Sequence, residues 1–467
     1  MMTDSEDKLN ASLKQLLDQL SENDNICFDE QSTILSKFRV LTREKTLKPD
    51  LLDEKCLNLL VKLSAKGHTE AQKSLSNLIL NYAHIREQLV DPYVNCVKTR
   101  LSCVLQDNIP GEINNSEHLT KEQVYETLYY DLRIVFLLSA LCSTTRHNIR
   151  DHLLNLILRL TIREAEGLCT EKYSLIIESL KTLFNLTIED CTDKQHAKEV
   201  VKKLFATIGI EGKSSSECEG NKESEQQDQL LVNLIHLLTN MPGDVYTELS
   251  DEDADKVLRH LDEQLKNFSS QNFKDTVLPV LNVCANICNY KEGIRKRWFE
   301  EIIGSTKDFE KRPEEYDTLR GRLVKLMTSV DVHLKDIAAE FILALCGGDT
   351  DKFITYTGFG NSAAYLSTRG LLAKGSKKTQ ENDNGAEEDP GYEELREKLD
   401  PITGRLEGIK INPMEGMSEE QKEWHAHELA NAITRLSNLD VVKPMGVDEE
   451  GQVSDLHPHG EKRDKIE

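Results

Sequence analysis

A glycine-rich stretch is the part of the sequence whose residue types and spacing come closest to a chemical site. In "GFGNSA", residues 358–363, the small residues have the G-x-G-x-x-G/A spacing of a dinucleotide-binding turn. A β-prone run, "FITY" at 353–356, precedes it. A turn of this type needs a βαβ unit around it, with an acidic residue ending a second strand about 20 residues further on.

The elements around this stretch do not supply such a unit. The long region before it has a helical pattern, and the acids at the required distance, Glu381 and Asp383, lie in a polar linker. The sequence therefore favours a glycine-rich turn that closes the last helical repeat, with a positive φ permitted at Gly358 and Gly360. We expect no bound cofactor.

Other catalytic signatures are absent from the sequence or incomplete. It contains neither a G-x-x-x-x-G-K-[ST] phosphate loop nor a G-x-S-x-G serine elbow. The segment "HELAN", 427–431, begins like a zinc-protease helix, but Asn431 stands where the second His ligand would be. His457 and His459 flank a proline in a polar tail, where a solvated pair is expected. These patterns predict a binding protein without a catalytic or metal site.

Net charge and cysteine usage limit the partners and the compartment. The 467 residues include 58 Lys and Arg against 81 Asp and Glu, a net charge of −23. This argues against binding to nucleic acid or docking on an anionic membrane surface, and favours a protein partner with a basic or amphipathic element. No signal peptide or membrane span is recognisable, and the 11 cysteines form no C-x-x-C pair. Cys284 and Cys288 share a helix face and are expected to pack as small apolar side chains. We expect a reduced, cytoplasmic protein.

Helical periodicity extends from about residue 9 to 346. Apolar residues recur every three or four positions, as in "DLRIVFLLSALC" and "HLLNLILRLTI". An Asn recurs beside apolar neighbours at Asn77, Asn185, Asn240 and Asn286, and Cys142 and Cys346 occupy the same position in two further helices. The intervals between these six positions cluster somewhat above the roughly 40–47 residues of an armadillo or HEAT unit. We predict an all-α, armadillo/HEAT-like solenoid. The recurring Asn side chains either line a ligand groove or bond locally within their own helices.

Composition divides the chain into segments. "EGKSSSECEGNKESEQQDQ" is polar and nearly free of aliphatic residues, and "KGSKKTQENDNGAEEDPGYEE" is acidic. We predict a helical-repeat solenoid over 1–373 with an inserted disordered loop at 211–229, an acidic linker and extended segment over 374–413, a tethered amphipathic helix over 414–438, and a polar tail over 439–467.

The tethered helix has a clear start signal. Ser418 and Gln421 have the spacing of a capping box, and Trp424, Leu429 and Ile433 lie near one face of the helix that follows. This helix is expected either to make a second partner contact or to fold back on the solenoid.

A basic cluster stands out in this acidic chain. It consists of Lys291, Arg295, Lys296 and Arg297. Such a cluster is a candidate site for a carboxylate or an acidic partner segment. The alternative is a solvated helix face in which these cations pair with the neighbouring acids Glu292, Glu300 and Glu301.

Several segments resemble the synembryn family. They include "VCANICNYKEGIRKRWFEEI", "RPEEYDTLRGRLVKLMTSVDVHLKDIAAEFILALC", "KFITYTGFGNSAAYLSTRGLLAKG" and "NPMEGMSEEQKEWHAHELANAI", with weaker matches at "EAQKSLSNLILN" and "YYDLRIVFLLSALCSTTR". The resemblance implies a right-handed superhelical solenoid. It also implies a cytoplasmic chaperone and guanine-nucleotide exchange factor for G-protein α subunits, recruited to the cell cortex or plasma membrane through them. We expect a monomer without a catalytic site of its own.

The resemblance and the repeat pattern together suggest site residues. In the family the C-terminal helix of the α subunit enters the concave groove, GDP leaves, and the empty subunit is stabilised until GTP binds. The groove residues predicted here are Asn77, Asn81, Arg133, Asn185 and Asn286. Carboxylates of the α-subunit tail are expected to meet Arg295 and Arg297. A second contact, on the nucleotide domain, is expected at Trp424, Leu429 and Ile433.

One feature departs from the family pattern. Vertebrate relatives carry phosphorylatable Ser or Thr among the acids of the linker, whereas "NDNGAEEDPGYEE" has neither. The nearest candidates, Ser376 and Thr379, adjoin Lys residues, and Asn382 occupies the +3 position after Thr379. Stimulation by phosphorylation is therefore not expected for this chain.

Two other classes of binding protein compete with this interpretation. A nuclear-import-type armadillo adaptor needs a ladder of Trp and Asn, but the sequence has only two tryptophans, Trp298 and Trp424. A solenoid scaffold that binds a peptide without exchange activity remains the main alternative.

Overall fold

The structure is a computed structural model that divides into two compact units, Met1–Lys256 and Val257–Glu467. The residues that it describes are 2–22, 27–44, 47–106, 120–166, 170–208, 220–266, 273–304, 311–371, 417–439, 445–447 and 453–455. Nearly all of them are helical, so the predicted all-α fold is confirmed.

The described part of the first unit consists of helices joined by short turns. They are α1 (Met2–Glu22), α2 (Phe28–Leu41), α3 (Glu54–Ala65), α4 (Thr69–Asn81), α5 (Arg86–Leu105), α6 (Lys121–Leu141), α7 (Arg146–Ala165), α8 (Thr170–Leu186), α9 (Lys194–Thr207), α10 (Gly220–Thr239) and α11 (Gly243–Tyr246). Helix α12 (Asp251–Lys266) crosses from the first unit into the second. Single 3₁₀ turns occur at Pro49–Leu51, Ala83–Ile85 and Ser143–Thr145.

These helices form two layers. Helices α2, α4, α6, α8 and α10 pack side by side as a first layer, and α3, α5, α7 and α9 pack as a second layer against them. The interface between the layers is filled by fully buried aliphatic side chains such as Leu75, Leu132, Val135 and Ile157. Repetition of one helical hairpin in this way is the armadillo/HEAT-like solenoid that the periodicity predicts.

The second unit continues with helical hairpins and ends in a short β-hairpin. Its elements are α13 (Phe273–Tyr290), α14 (Glu292–Phe299) with a π turn at Glu300–Gly304, a 3₁₀ turn at Pro313–Glu315, α15 (Leu319–Met327), α16 (Val332–Leu345), α17 (Thr350–Thr357), α18 (Phe359–Thr368), α19 (Glu419–Asn438), β1 (Met445–Val447) and β2 (Val453–Asp455). Helix α16 packs on α13 and α15, and β1 pairs antiparallel with β2. Cys284 and Cys288 are buried in α13, as predicted.

Two first-layer helices end in the same way. After α4 and after α6 a 3₁₀ turn leads to an arginine whose side chain points back at the helix just completed. Arg86 Nε donates to Ile79 O at 2.8 Å, and Arg146 Nε donates to Ser139 O at 2.9 Å. The last carbonyls of a helix lack partners within the helix and carry partial negative charge, so each arginine stabilises a helix end.

A buried polar network connects the layers of the first unit. Asp131 on α6 accepts hydrogen bonds from Tyr93 at 2.8 Å and from Gln72 at 2.6 Å, and it pairs with Arg100 on α5. Asp131, Tyr93 and Gln72 are fully buried, and Arg100 is 6% exposed. Arg100 also donates to Ser64 O at the end of α3. Four helices, α3 to α6, therefore meet at one internal ion pair.

Three sequence predictions need correction. The β-prone run 353–356 lies in α17, because it adjoins the helix cap at Asp349 and no neighbouring strand is available to it among the described residues. Gly358 has a φ of +80°, as predicted, but Gly360 lies inside α18 and has helical geometry. The predicted disordered loop 211–229 is too long, because α10 begins at Gly220 and residues 225–229 are Glu, Gln and Asp, most of them good helix formers. Residues 211–219 lie outside the described part of the chain.

Only some of the predicted later segments lie within the described residues. The acidic linker and extended segment, 374–413, lie outside the described residues. The predicted helix 414–438 corresponds to α19, which begins five residues later, at Glu419. The predicted polar tail contains the two strands of the β-hairpin.

Candidate partner-binding surface

The first layer has one side turned away from the second layer, and this side carries charged and aromatic residues. On α6 the buried side chains Asp131 and Val135 point toward the second layer, whereas Tyr130 and Arg133 lie on the opposite side and are partly exposed. We call the side of α4, α6 and α8 that carries Lys73, Tyr130, Arg133 and Lys181 the first-layer face. It crosses three neighbouring helices.

Lys73 on α4 is the centre of a charge cluster on this face. Its Nζ lies 2.8 Å from Glu70 Oε1, 3.1 Å from Glu126 Oε1 and 5.1 Å from the centroid of the Tyr130 ring. Arg39 of α2 pairs with Glu70 at 2.7 Å. Burial lowers the pKa of Lys73, but the hydrogen bonds to Glu70 and Glu126 outweigh it and the pKa lies above its usual value. Lys73 is therefore a fixed cation beside an aromatic ring.

A second cluster joins α6 to α8. Arg133 Nη1 lies 3.3 Å from Glu178 Oε1, and Lys181 Nζ lies 2.9 Å from the same oxygen. Arg133 also stands over the Phe136 ring at 5.9 Å. The Tyr129 phenol is nearby; its burial raises its pKa, and the charge of Glu178 raises it further. Arg133, predicted as a groove residue, thus lies on the first-layer face.

Lys73, Glu178 and Lys181 were missed in the sequence. A signal for them exists, because Glu178 stands three positions before Lys181 in α8, and Tyr130 stands three before Arg133 in α6. Residues at this spacing share a helix face. Which faces are exposed, however, depends on how the layers pack.

Three of the recurring asparagines join first-layer helices α4, α8 and α10 to the preceding helix of the same layer. Asn77 Nδ2 donates to Thr42 Oγ1 at 3.1 Å, and Asn185 Nδ2 donates to Ser139 Oγ and to Phe136 O, both at 3.2 Å. Asn240 Nδ2 donates to Phe184 O at 2.9 Å. Recurrence at one helical phase therefore has a structural cause that neither sequence interpretation anticipated.

Two further predicted asparagines differ from this pattern or extend it. Asn81 Nδ2 donates to Thr42 O at 3.1 Å and Arg43 O at 3.3 Å, so it also contacts the end of α2. Asn286 donates to Asn282 Oδ1 at 3.0 Å within its own helix, α13. Asn77, Asn81 and Asn286 are half-buried, and Asn185 is 7% exposed. Whether any of them binds a partner stays a prediction.

The basic cluster of the second unit is partly structural. Arg295, Arg86 and Arg146 each stand five positions after the last residue of the helix that precedes them. The guanidinium of Arg295 lies against Gly347, where a Cβ would come within 2.6 Å of Nη1 and where φ is +68°. Glu292 pairs with Arg295 at 3.7 Å, as the solvated-face alternative predicts for this acid. Arg297 is half-buried on the same helix, α14.

Helix α19 exposes large apolar side chains. The predicted capping box is confirmed, because Ser418 Oγ accepts from Gln421 N at 3.3 Å and Gln421 Oε1 accepts from Ser418 N at 3.0 Å. Trp424, Leu429 and Ile433 are 57%, 63% and 48% exposed, and no residue of the helix is buried. The three predicted contact residues are therefore accessible.

Two other classes of feature concern metal ions and membranes. Within them, no group of three or more His, Cys, Asp or Glu side chains is arranged to bind a metal ion. None of the described helices has the length and apolarity needed to cross a membrane. The glycine stretch at 358–363 has a helix on either side of its positive-φ residue, which is not the setting of a dinucleotide turn.

The sequence resembles known proteins over most of its length. Residues 34–452 match the family model described as guanine nucleotide exchange factor synembryn. The chain is 30% identical over 426 residues to chaperone Ric-8A of Xenopus tropicalis, which covers 84% of this chain and 76% of that protein. It is 32% identical over 356 residues to chaperone Ric-8A of Bos taurus, covering 71% of this chain and 66% of that protein. For chaperone Ric-8A of Danio rerio the identity is 27% over 485 residues, covering 92% and 84%. Because the family match covers residues 34–452, most of the chain, the chain belongs to the synembryn family of guanine nucleotide exchange factors.

Proposed function

We propose that the protein is a chaperone and guanine-nucleotide exchange factor for G-protein α subunits. The family match over residues 34–452 carries the proposal, and the names of the relatives support the chaperone activity. The nucleotide is bound by the partner, so this chain needs no catalytic residue or cofactor of its own. It acts as a monomer in the cytoplasm and reaches the cell cortex or the plasma membrane through the α subunit.

The first-layer face is the proposed site for the C-terminal helix of the α subunit. An amphipathic helix can dock its side chains between neighbouring helices of a solenoid. Aromatic rings such as Tyr130 and paired cations such as Arg133 and Lys181 offer it both apolar and charged contacts. Asn77, Asn81 and Asn185 lie on the same layer and would border the bound helix.

Residues of the second unit supply further contacts in this proposal. Arg295 and Arg297 of α14 would meet carboxylates of the α-subunit tail, and Asn286 of α13 would bond its backbone. Trp424, Leu429 and Ile433 would cover an apolar surface of the nucleotide domain. Three large apolar side chains exposed on a capped helix offer a partner apolar area to bury.

Linkage explains how binding accelerates exchange. GDP bound with a nanomolar Kd contributes about 12 kcal/mol. A factor that speeds release of GDP must therefore bind the empty α subunit more tightly than the loaded form, and by reciprocity GTP must weaken the hold of the factor. Stabilising an empty subunit is also what a chaperone for this partner has to do. One binding surface can serve both activities.

The decisive experiment measures GDP release from several purified α subunits, with and without the full-length chain. The proposal predicts faster release from at least one subunit and a stable complex that GTP dissociates. Binding without faster release would instead support the peptide-binding scaffold. No binding to any α subunit would overturn the proposal.

Arg133→Ala tests the placement of the partner on the first-layer face. We expect the affinity for the α subunit to fall roughly tenfold, because one paired cation is lost from the surface. Arg369→Ala is a matched control: Arg369 pairs with Glu340 at 3.2 Å and stands 5.3 Å over the Tyr365 ring, so it resembles Arg133 outside the face. Equal affinities for the two variants would contradict the placement.

A further inference from the structure

Glu178 is a buried carboxylate on the first-layer face that uses only part of its hydrogen-bonding capacity. Its side chain is 3% exposed, and both Arg133 and Lys181 contact the same oxygen, Oε1. The other oxygen, Oε2, is also buried, and no described residue donates a hydrogen bond to it. A buried, unsatisfied carboxylate oxygen costs free energy, so stability alone does not account for an acid at this position.

The two cations that contact Glu178 are partly exposed to solvent, whereas Glu178 itself is buried. The side chain of Arg133 is 38% exposed and that of Lys181 is 34% exposed. Two positive charges and one negative charge give the cluster a net charge of +1 in a chain whose net charge is −23. The cluster therefore presents a positive surface to an approaching partner.

Glu178 also sets the distance between cations that belong to different helices. Arg133 is on α6 and Lys181 is on α8, and both side chains contact the same oxygen, Glu178 Oε1. Long side chains such as these lose rotamer freedom when they bind an anion, and a fixed starting position reduces that loss. Without the carboxylate the two like charges would repel each other.

We propose that Glu178 is a positioning residue that orients Arg133 and Lys181 so that together they bind one carboxylate of the partner. The assignment rests on the proposed function, in which the partner is a G-protein α subunit. Glu178 itself does not touch the partner. It acts through the two cations.

This assignment predicts that removing the charge of Glu178 changes the partner affinity in the direction opposite to that expected from simple electrostatics. Removing the negative charge of Glu178 makes the cluster more positive, so Coulomb's law alone predicts tighter binding of a carboxylate. Positioning predicts weaker binding, because the two cations are no longer held together. The direction of the change therefore separates the two explanations.

The test measures the Kd between the full-length chain and a purified GDP-bound α subunit. We expect Glu178→Gln to weaken binding roughly tenfold and Glu178→Asp, which keeps the charge, to recover part of the loss. Glu340→Gln is the control, because Glu340 also pairs with an arginine, at 3.2 Å, but lies outside the face. In a chain that already carries Arg133→Ala and Lys181→Ala, Glu178→Gln should change the Kd less than about twofold.

Three outcomes contradict the assignment. Tighter or unchanged binding by Glu178→Gln would show that the acid does not position the cations. An equal loss in the background without Arg133 and Lys181 would show that it acts through the fold instead. A wild-type chain that binds no α subunit overturns the proposed function and this assignment together, whereas a binding wild type with an unaffected Glu178→Gln variant overturns the assignment alone.

Discussion

On the first-layer face the charged side chains are paired and half-buried, with Arg133 38% exposed and fixed by Glu178, whereas on α19 Trp424 and Leu429 are 57% and 63% exposed and no residue is buried. The face is already organised, so binding to it costs little ordering entropy and depends on direction and charge. At α19 most of the binding free energy comes from covering the exposed apolar side chains with a partner. The two regions should therefore respond differently to substitution.

The largest expected effect is a loss of stability when the buried ion pair of α5 and α6 is broken, whereas substitutions on α19 should leave stability unchanged. Asp131→Asn leaves Arg100 charged and buried without its ion-pair partner, so the free energy of unfolding should fall by about 3–5 kcal/mol. Urea or thermal unfolding followed by circular dichroism measures this. Asp151→Asn is the control, because Asp151 is 59% exposed and lies 3.5 Å from Arg150. Similar stability of the two variants would mean that the network is not essential to the layers.

The second prediction concerns α19 and should affect binding without affecting folding. Combined replacement of Trp424, Leu429 and Ile433 by Ala should weaken the complex with the α subunit by about 2–3 kcal/mol, which corresponds to roughly 30–150-fold in Kd. The unfolding midpoint should stay where it is, because these side chains contribute nothing to the core. Lys422→Ala, which removes an exposed pair with Glu419 on the same helix, serves as the control. A lower unfolding midpoint in the triple variant would show that α19 folds back on the solenoid.

The sequence predicts local features of both regions better than their contacts. The capping box at Ser418 and the helical phase of Asn185 follow from spacing alone. The residue that Asn185 bonds, Ser139, stands 46 positions earlier, so it becomes visible only when the packing of α6 against α8 is known. Glu178 is a similar case, because a lone Glu in a helix gives no sign that it is buried. Gly360 shows the reverse error, since a glycine that permits a positive φ does not require one.

The smallest expected effect tests whether a recurring residue supports the layers or binds the partner. Asn185→Ala removes two hydrogen bonds to α6 and should lower the free energy of unfolding by about 1–2 kcal/mol. Asn233→Ala is the control, because the hydrogen bond from Asn233 to Gln229 O stays within α10, and less than about 0.5 kcal/mol should be lost. If Asn185 also borders the bound helix, its replacement should weaken α-subunit binding beyond what the loss of stability explains, measured well below the unfolding temperature. Reduced stability with unchanged affinity would make the role of Asn185 purely structural and would leave partner recognition on the first-layer face to its charged and aromatic side chains.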